Sequence, residues 1–419
     1  MSGKKAKLID KLSSRLPAPV RHALQTLVRL AEEEGLAAYL VGGPVRDLLL
    51  GRPSLDLDFA IEGDAGALGA RLASELGLRL VRHPVFLTAT VRGDGFFIDL
   101  ATARSETYAR PGALPAVAPA GLVEDLQRRD FTINAMALAL TGDRAGELID
   151  PASGRQDLEG GLVRVLHDGS FQDDATRILR AARYQVRFGF CITPHTLDLL
   201  RHDTPYLDTI SGARIHQEIS RTLAEPEPEN VFLCLQALGV LRAIHPGLSF
   251  DERLAAAFAD LRRLAPAALP GAGWPLLAWR AAPAQIAGVV RRLALTRPQA
   301  AAVRAVPQLR ALHDRLSRPS LRPSQIAQVL RTFPPPAVWA LAAAGEGLVR
   351  DRCLEYLLRW RYVRTSLRGG DVAALGVGPG PALGEVLHRL KVAKLDGEVR
   401  SRRGEEAFVR RLLDAGTNP

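Results

Sequence analysis

The stretch from Leu40 to Ile61, LVGGPVRDLLLGRPSLDLDFAI, limits what this chain can fold into more than any other. It opens as a short apolar strand, turns at Gly42 and Gly43, runs as a short helix through Arg46 and Leu50, and breaks at Gly51, Arg52 and Pro53. In LDLDFAI strict alternation sends Leu55, Leu57 and Phe59 to one face and Asp56 and Asp58 to the other. Carboxylates two residues apart on a strand have Cα atoms roughly 6 to 7 Å apart and point the same way. Such a pair suits hard cations such as Mg²⁺, and two ions about 3.5 to 4 Å apart can clamp the attacking and leaving oxygens of a phosphoryl transfer. Glycine N–H groups can approach a phosphate closely, the helix offers its positive end, and Arg46, one turn in, could reach the same phosphates. Alone, Asp-x-Asp is commonly a solvated strand face and Gly-Gly-x-x-Arg is weaker still. Their order and closeness point to a nucleotide and metal site.

With 419 residues, the chain has room for roughly three domain-sized units. Its 47% hydrophobic and 24% charged residues are those of an ordinary globular protein. A formal net charge of +10 favours a polyanionic partner, nucleic acid ahead of membrane, because no lipidation motif or long uncharged apolar run occurs. Many arginines lie on helices near Glu or Asp, where each singly reads as a solvated face. Cys191, Cys234 and Cys353 are far apart without CxxC spacing, which argues against zinc and against a disulfide framework. MSGKKAKLIDKLSSRL lacks the apolar core of a signal peptide, so a cytoplasmic protein is expected.

Apolar spacing predicts a helix from Ala18 to Gly35, and another follows the aspartate strand from Ala65 to Leu76. Short strands are expected at Leu78 to Val81, Val85 to Val91 and Phe96 to Leu100, giving a domain with a mixed sheet. Asp99 ends the last of these, where a third carboxylate could approach the first two; an ordinary strand-end Asp reads equally well. Thr102 to Leu122, rich in Pro, Gly and Ala, reads as a long loop, mobile or functional. EDLQRRDFTINAMALAL then reads as a helix, whose Arg128 and Arg129 could neutralise a triphosphate or be surface charge. Strand signals fade from Asp150, and the remainder reads as helices, including Ala300 to Leu316 and Val338 to Tyr362. His-Asp dipeptides at His167, His202 and His313 invite a metal phosphohydrolase reading, but further ligands at suitable spacing are missing.

Taken together, LVGGPVRDLLLG, DLD, IDLATARSETYARPGALP, EDLQRRDFTINAMA, LIDPASGRQDL and DDATRILRAARYQVRFGF resemble the successive motifs of bacterial tRNA nucleotidyltransferases, the CCA-adding enzymes. These share their head with bacterial poly(A) polymerases. The resemblance continues in SGARIHQEISRTL and GGDVAALGVGPGPALGEVLHRLKVAKLDG. It implies an α+β fold: a polymerase β-like nucleotidyltransferase head (1–150), then an all-α neck (151–222), body (223–335) and tRNA-binding tail (336–419). It also implies metal-binding roles for Asp56 and Asp58, and nucleotide-holding roles for Gly43, Arg46 and Arg129. Asp174, Arg177, Arg180 and Arg183 match the nucleotide-selecting motif. Two departures occur: Asp173 stands where the family usually has Glu, and Ala213 where Glu is frequent.

Cytosine and adenine both present an exocyclic amine beside a ring-nitrogen acceptor. A carboxylate and a guanidinium one helical turn apart, Asp174 and Arg177, could read that edge as a unit, while uracil and guanine would leave both unpaired. Arg180 and Arg183 drift around the helix towards ribose, phosphate or the head. The resemblance thus implies attack of the tRNA 3′-hydroxyl on the α-phosphate of ATP or CTP, with Mg²⁺ on Asp56 and Asp58. Alternatives are addition of A alone, of CC alone, of a poly(A) tail, a small-molecule nucleotidyltransferase, or an inactive RNA-binding relative.

Overall fold

In the computed structural model, residues 2–52 and 55–414 are described, with the side chains of residues 8–52, 55 and 57–414. The chain divides into two compact units, Met1–Glu218 and Ile219–Pro419. In the first, α1 (Ser2–Arg15) and α2 (Ala18–Glu33) lead into β1 (Ala37–Val41), α3 (Gly43–Leu50) and β2 (Asp56–Glu62). Helix α2 starts at the proline-set turn before Ala18 and buries Val20, Leu24, Leu27 and Leu30, the stripe expected from its spacing. Helix α4 (Ala65–Leu76) is capped by Asp64, whose carboxylate accepts the Ala67 N–H, and ends at left-handed Gly77. Next come β3 (Arg79–His83), β4 (Thr88–Arg92), β5 (Phe97–Thr102), β6 (Arg104–Thr107), β7 (Ala116–Pro119), α5 (Leu122–Gln127), β8 (Ala137–Ala139) and β9 (Leu148–Ile149).

Seven strands form one sheet in the order β3-β4-β5-β2-β1-β8-β9. Strands β2 and β5 run parallel, and the other pairs are antiparallel. This is the mixed sheet expected of the head. Two expectations fail in detail. Thr102 to Leu122 is not one loop, because β6 and β7 pair as a separate antiparallel hairpin. The helix read through EDLQRRDFTINAMALAL ends at Gln127, and Ala137–Ala139 is an inner strand paired with both β1 and β9. A strand covered on both faces reads as a continuous apolar run, which periodicity cannot tell from a buried helix.

Helices α6 (Gly154–Glu159), α7 (Ser170–Asp173), α8 (Thr176–Phe188), α9 (Pro194–Asp203) and α10 (Gly212–Leu223) follow, with a small parallel pair, β10 (Leu162–Val163) and β11 (Cys191–Ile192). The described residues of the second unit form helices and no strand. Val338 to Tyr362, expected as one stretch, splits into Pro335–Ala344 and Gly347–Leu358, where Gly347 takes a positive φ of 51°. Ala300 to Leu316 splits likewise into three short helices. One apolar cluster gathers Leu309, Leu330, Leu341, Val349 and Leu357, and another Leu367, Val372, Leu390 and Val409. No described helix is long and apolar enough to cross a membrane.

Candidate active site

Gly42, with φ 73° and ψ −131°, makes the bend from β1 into α3. A Cβ there would lie 2.6 Å from Nη1 of Arg129, so the guanidinium covers the turn only because no side chain is present. The Gly42 N–H donates to the Met136 carbonyl at 3.2 Å, which ties the turn to the segment before β8. Gly43 is the first residue of α3, and its N–H belongs to the helix end that lacks intrahelical acceptors.

The aspartate strand runs between β1 and β5. Leu40 pairs with Phe59, and Asp58 is in register with Asp99. Leu57, Phe59 and Ile61 are buried, while Asp58 is half-buried on the opposite face. In-register residues of neighbouring parallel strands share a face with Cα atoms about 5 Å apart, so the sheet brings Asp99 beside Asp58. Asp99 also accepts the Thr90 hydroxyl from β4. Asp56 holds the expected strand position two residues before Asp58, but its side chain lies outside the described residues. Among the described residues no group of three or more His, Cys, Asp or Glu could hold a metal ion, the three His-Asp dipeptides included.

Arg46 is only 5% exposed. Its Nε donates to Asp47 at 2.9 Å, its Nη1 to Asn134 at 2.6 Å, and its guanidinium lies 4.6 Å from the Phe188 ring centroid and 5.3 Å from that of Tyr184. Asn134 in turn donates to Asp130, which accepts both Nε and Nη2 of Arg180. A buried polar chain therefore links the glycine turn to α8. Burial would raise the Asp130 pKa, but Arg180 and the Asn134 amide outweigh it and hold it at about 2. Asp130 and Asn134 were not singled out from sequence, although Asp130 stands next to the arginine pair.

The two adjacent arginines diverge. Arg129 donates to Asp125 at 2.9 Å and reaches over Gly42, and its Nε is buried with no hydrogen-bond partner. Arg128 binds Asp125 and, at 2.7 Å, Glu106 of β6. Glu106 also accepts from Arg104 and from the Tyr108 hydroxyl. Asp125 is fully buried, and its pKa is lowered because Arg129 and Arg128 overcome its desolvation. Glu106, Asp125, Arg104 and Arg128 thus fasten the β6–β7 hairpin to α5.

Asp174 is not on a helix as expected. It is extended (φ −144°, ψ 96°) between α7 and α8, and its carboxylate accepts the Thr176 N–H at 2.9 Å and hydroxyl at 2.6 Å. Its other partner, missed from sequence, is Arg214 of α10 at 2.6 Å. Arg177 is buried and donates to the Ser170 hydroxyl at 2.7 Å and to the Arg128 carbonyl at 2.7 Å. Arg183 meets Glu218 of α10 at 2.7 Å, both buried, so its guanidinium is engaged there and not with Asp174. Asp173 meets His167 at 3.5 Å, and Ala213 is exposed in the first turn of α10. Around one end of the sheet the structure therefore gathers Gly42, Gly43, Arg46 and Arg129, with α8 joined to them through Asp130.

Residues 38–164 match the poly A polymerase head domain, and residues 189–251 a probable RNA- and SrmB-binding site of polymerase A. An A-adding tRNA nucleotidyltransferase of Geobacter sulfurreducens is 33% identical over 98% of this chain, which spans about half (49%) of that relative. A CC-adding tRNA nucleotidyltransferase of Deinococcus radiodurans is 36% identical over 91% of this chain and 90% of its own length. Among solved structures, the Thermotoga maritima CCA-adding enzyme complexed with tRNA superposes with a TM-score of 0.76 at 29% identity, covering 97% of this chain and 98% of that one. A head with this turn and acidic strand, continued by helices and matched over 90% of the Deinococcus relative's length, makes the chain a member of the tRNA nucleotidyltransferase family.

Proposed function

We propose that this protein extends the 3′ end of tRNA with the CCA sequence, or part of it, from CTP and ATP, releasing pyrophosphate. The observation that carries the reading is the adjacency of Asp58 and Asp99 on parallel strands beside the Gly42–Gly43 turn. Enzymes of this family use divalent metal ions. An all-oxygen donor set of aspartates fits Mg²⁺, held by Asp56 and Asp58 with Asp99 beside them. When bound, such ions supply charge neutralisation at the α-phosphate and at the leaving pyrophosphate. Gly43 N–H and Arg129 hold the triphosphate, while Arg46 fixes α3 behind them through Asn134 and Phe188. Asp174 and Arg177 read the base edge, for which Asp174 must exchange Arg214 for the base amine and Arg177 must turn a guanidinium N–H from Ser170 or the Arg128 carbonyl to the ring nitrogen. Arg180 positions α8 against the head through Asp130, and Arg183 ties α8 to α10 through Glu218. The neck is residues 151–222, the body 223–335 and the tail, 336–419, the tRNA grip; the free cysteines suit a cytoplasmic setting.

The names of the Geobacter and Deinococcus relatives favour a second reading, in which this chain adds only A or only CC. Offering tRNA ending at the unpaired base before CCA, and tRNAs already bearing C or CC, with CTP and ATP separately, distinguishes the three by product length. Asp58→Ala is expected to abolish incorporation while leaving tRNA binding nearly intact. Retained incorporation would overturn the assignment.

A further inference from the structure

The second unit holds a cavity of about 360 Å³ between the helices Pro323–Leu330, Gly347–Leu358 and Pro381–Leu395, a volume that suits one small ligand. Its walls combine three kinds of group. Trp360 is half-buried against the apolar cluster beneath it, and Tyr356 is buried beside it, giving aromatic surface that is held in place. Arg331, Arg361 and Lys391 bring positive charge. Gln325 and Gln328 add amides that both donate and accept.

Charge pairing makes the cavity selective. Its one acid, Asp396, is spent on the start of the helix Pro323–Leu330, accepting the Ser324 N–H and hydroxyl at 2.9 Å each. Arg322, at the rim, is paired with Glu398 at 3.4 Å. Among the described residues, Arg331, Arg361 and Lys391 have no acidic partner within salt-bridge distance, so three cations border an aromatic floor with nothing to neutralise them. A small carboxylate without a planar ring would leave the aromatic surface unused, and an uncharged acyl chain would leave the cations unmet. A planar base joined to a phosphate satisfies both.

We propose that this cavity binds a nucleoside phosphate, with the base against Trp360 and the phosphate among Arg331, Arg361 and Lys391. Its source is either a free mononucleotide or one unstacked nucleotide of bound RNA; the second case rests on the function proposed above.

The full chain is to be irradiated with 8-azido-AMP and, separately, with a 4-thiouridine-substituted tRNA lacking CCA, and the adducts mapped by peptide mass spectrometry. Adducts within residues 356–361 or 388–391 are expected. They should fall about tenfold with Trp360→Ala, as loss of one stacked base implies, and similarly with Lys391→Glu, which leaves the apolar cluster untouched. Labelling by 8-azido-AMP, competed by AMP, identifies the free nucleotide; labelling by the tRNA alone identifies the RNA. No adduct in either segment, or competition of labelling by inorganic phosphate as effective as by AMP, overturns the proposal. Incorporation measured on the same preparation separates the two readings. Activity without these adducts refutes only the cavity, and adducts without activity refute only the enzyme.

Discussion

Two residues carry much of the site's geometry. Gly42 combines a positive φ with a guanidinium lying where a Cβ would be. Gly42→Ala is expected to cost about 1–3 kcal/mol in backbone strain and to push Arg129 off the turn. The check is a split readout: a Tm lower by a few degrees and a KM for CTP or ATP raised about tenfold. Asp130 is buried between Arg180 and Asn134. Because its pKa is lowered from 3.8 to about 2, its contribution of about 2 kcal/mol is fully present above pH 4 and is lost as pH falls through about 2. Asp130→Ala leaves Arg180 without its main partner and should cost about 3–5 kcal/mol, and urea-melt stabilities should lose about 2 kcal/mol of the wild-type acid dependence between pH 4 and 2.

At the scale of elements, the hairpin β6–β7 is held by ion pairs more than by apolar packing, since Glu106 gathers Arg104, Arg128 and Tyr108. Glu106→Ala is expected to speed amide hydrogen exchange in residues 104–119 at least tenfold while β1, β2 and β5 keep their protection. Equal loss of protection across the seven-stranded sheet would show that the hairpin is not a separate unit. Elements with clean periodicity were legible in the sequence: α2, α4 and β2 lie within a few residues of their expected bounds. The hairpin was hidden because its strands are short and β7 carries proline, which edge strands tolerate. Strand β8 was hidden because burial on both faces erased its alternation. Asp174 was misplaced because helix starts are read from capping residues, and an extended Asp accepting from Thr176 marks the boundary only once coordinates fix its backbone. The polar chain from Arg46 to Arg180 joins residues far apart in sequence, and no local pattern announces it.

Across the whole molecule the net charge of +10 sets how RNA should bind. Affinity for tRNA is expected to fall about a hundredfold or more between 50 and 200 mM salt by nitrocellulose-filter or anisotropy titration, as counterion release at several phosphates requires. A flat salt dependence would contradict backbone recognition. The parallel pairing of β2 with β5 has a further consequence. Asp58 and Asp99 become neighbours only after α4, β3 and β4 have carried the chain out and back. A polypeptide still lacking β5 holds the glycine bend and the acidic strand, but Asp58 has no in-register Asp99 beside it until the returning strand docks.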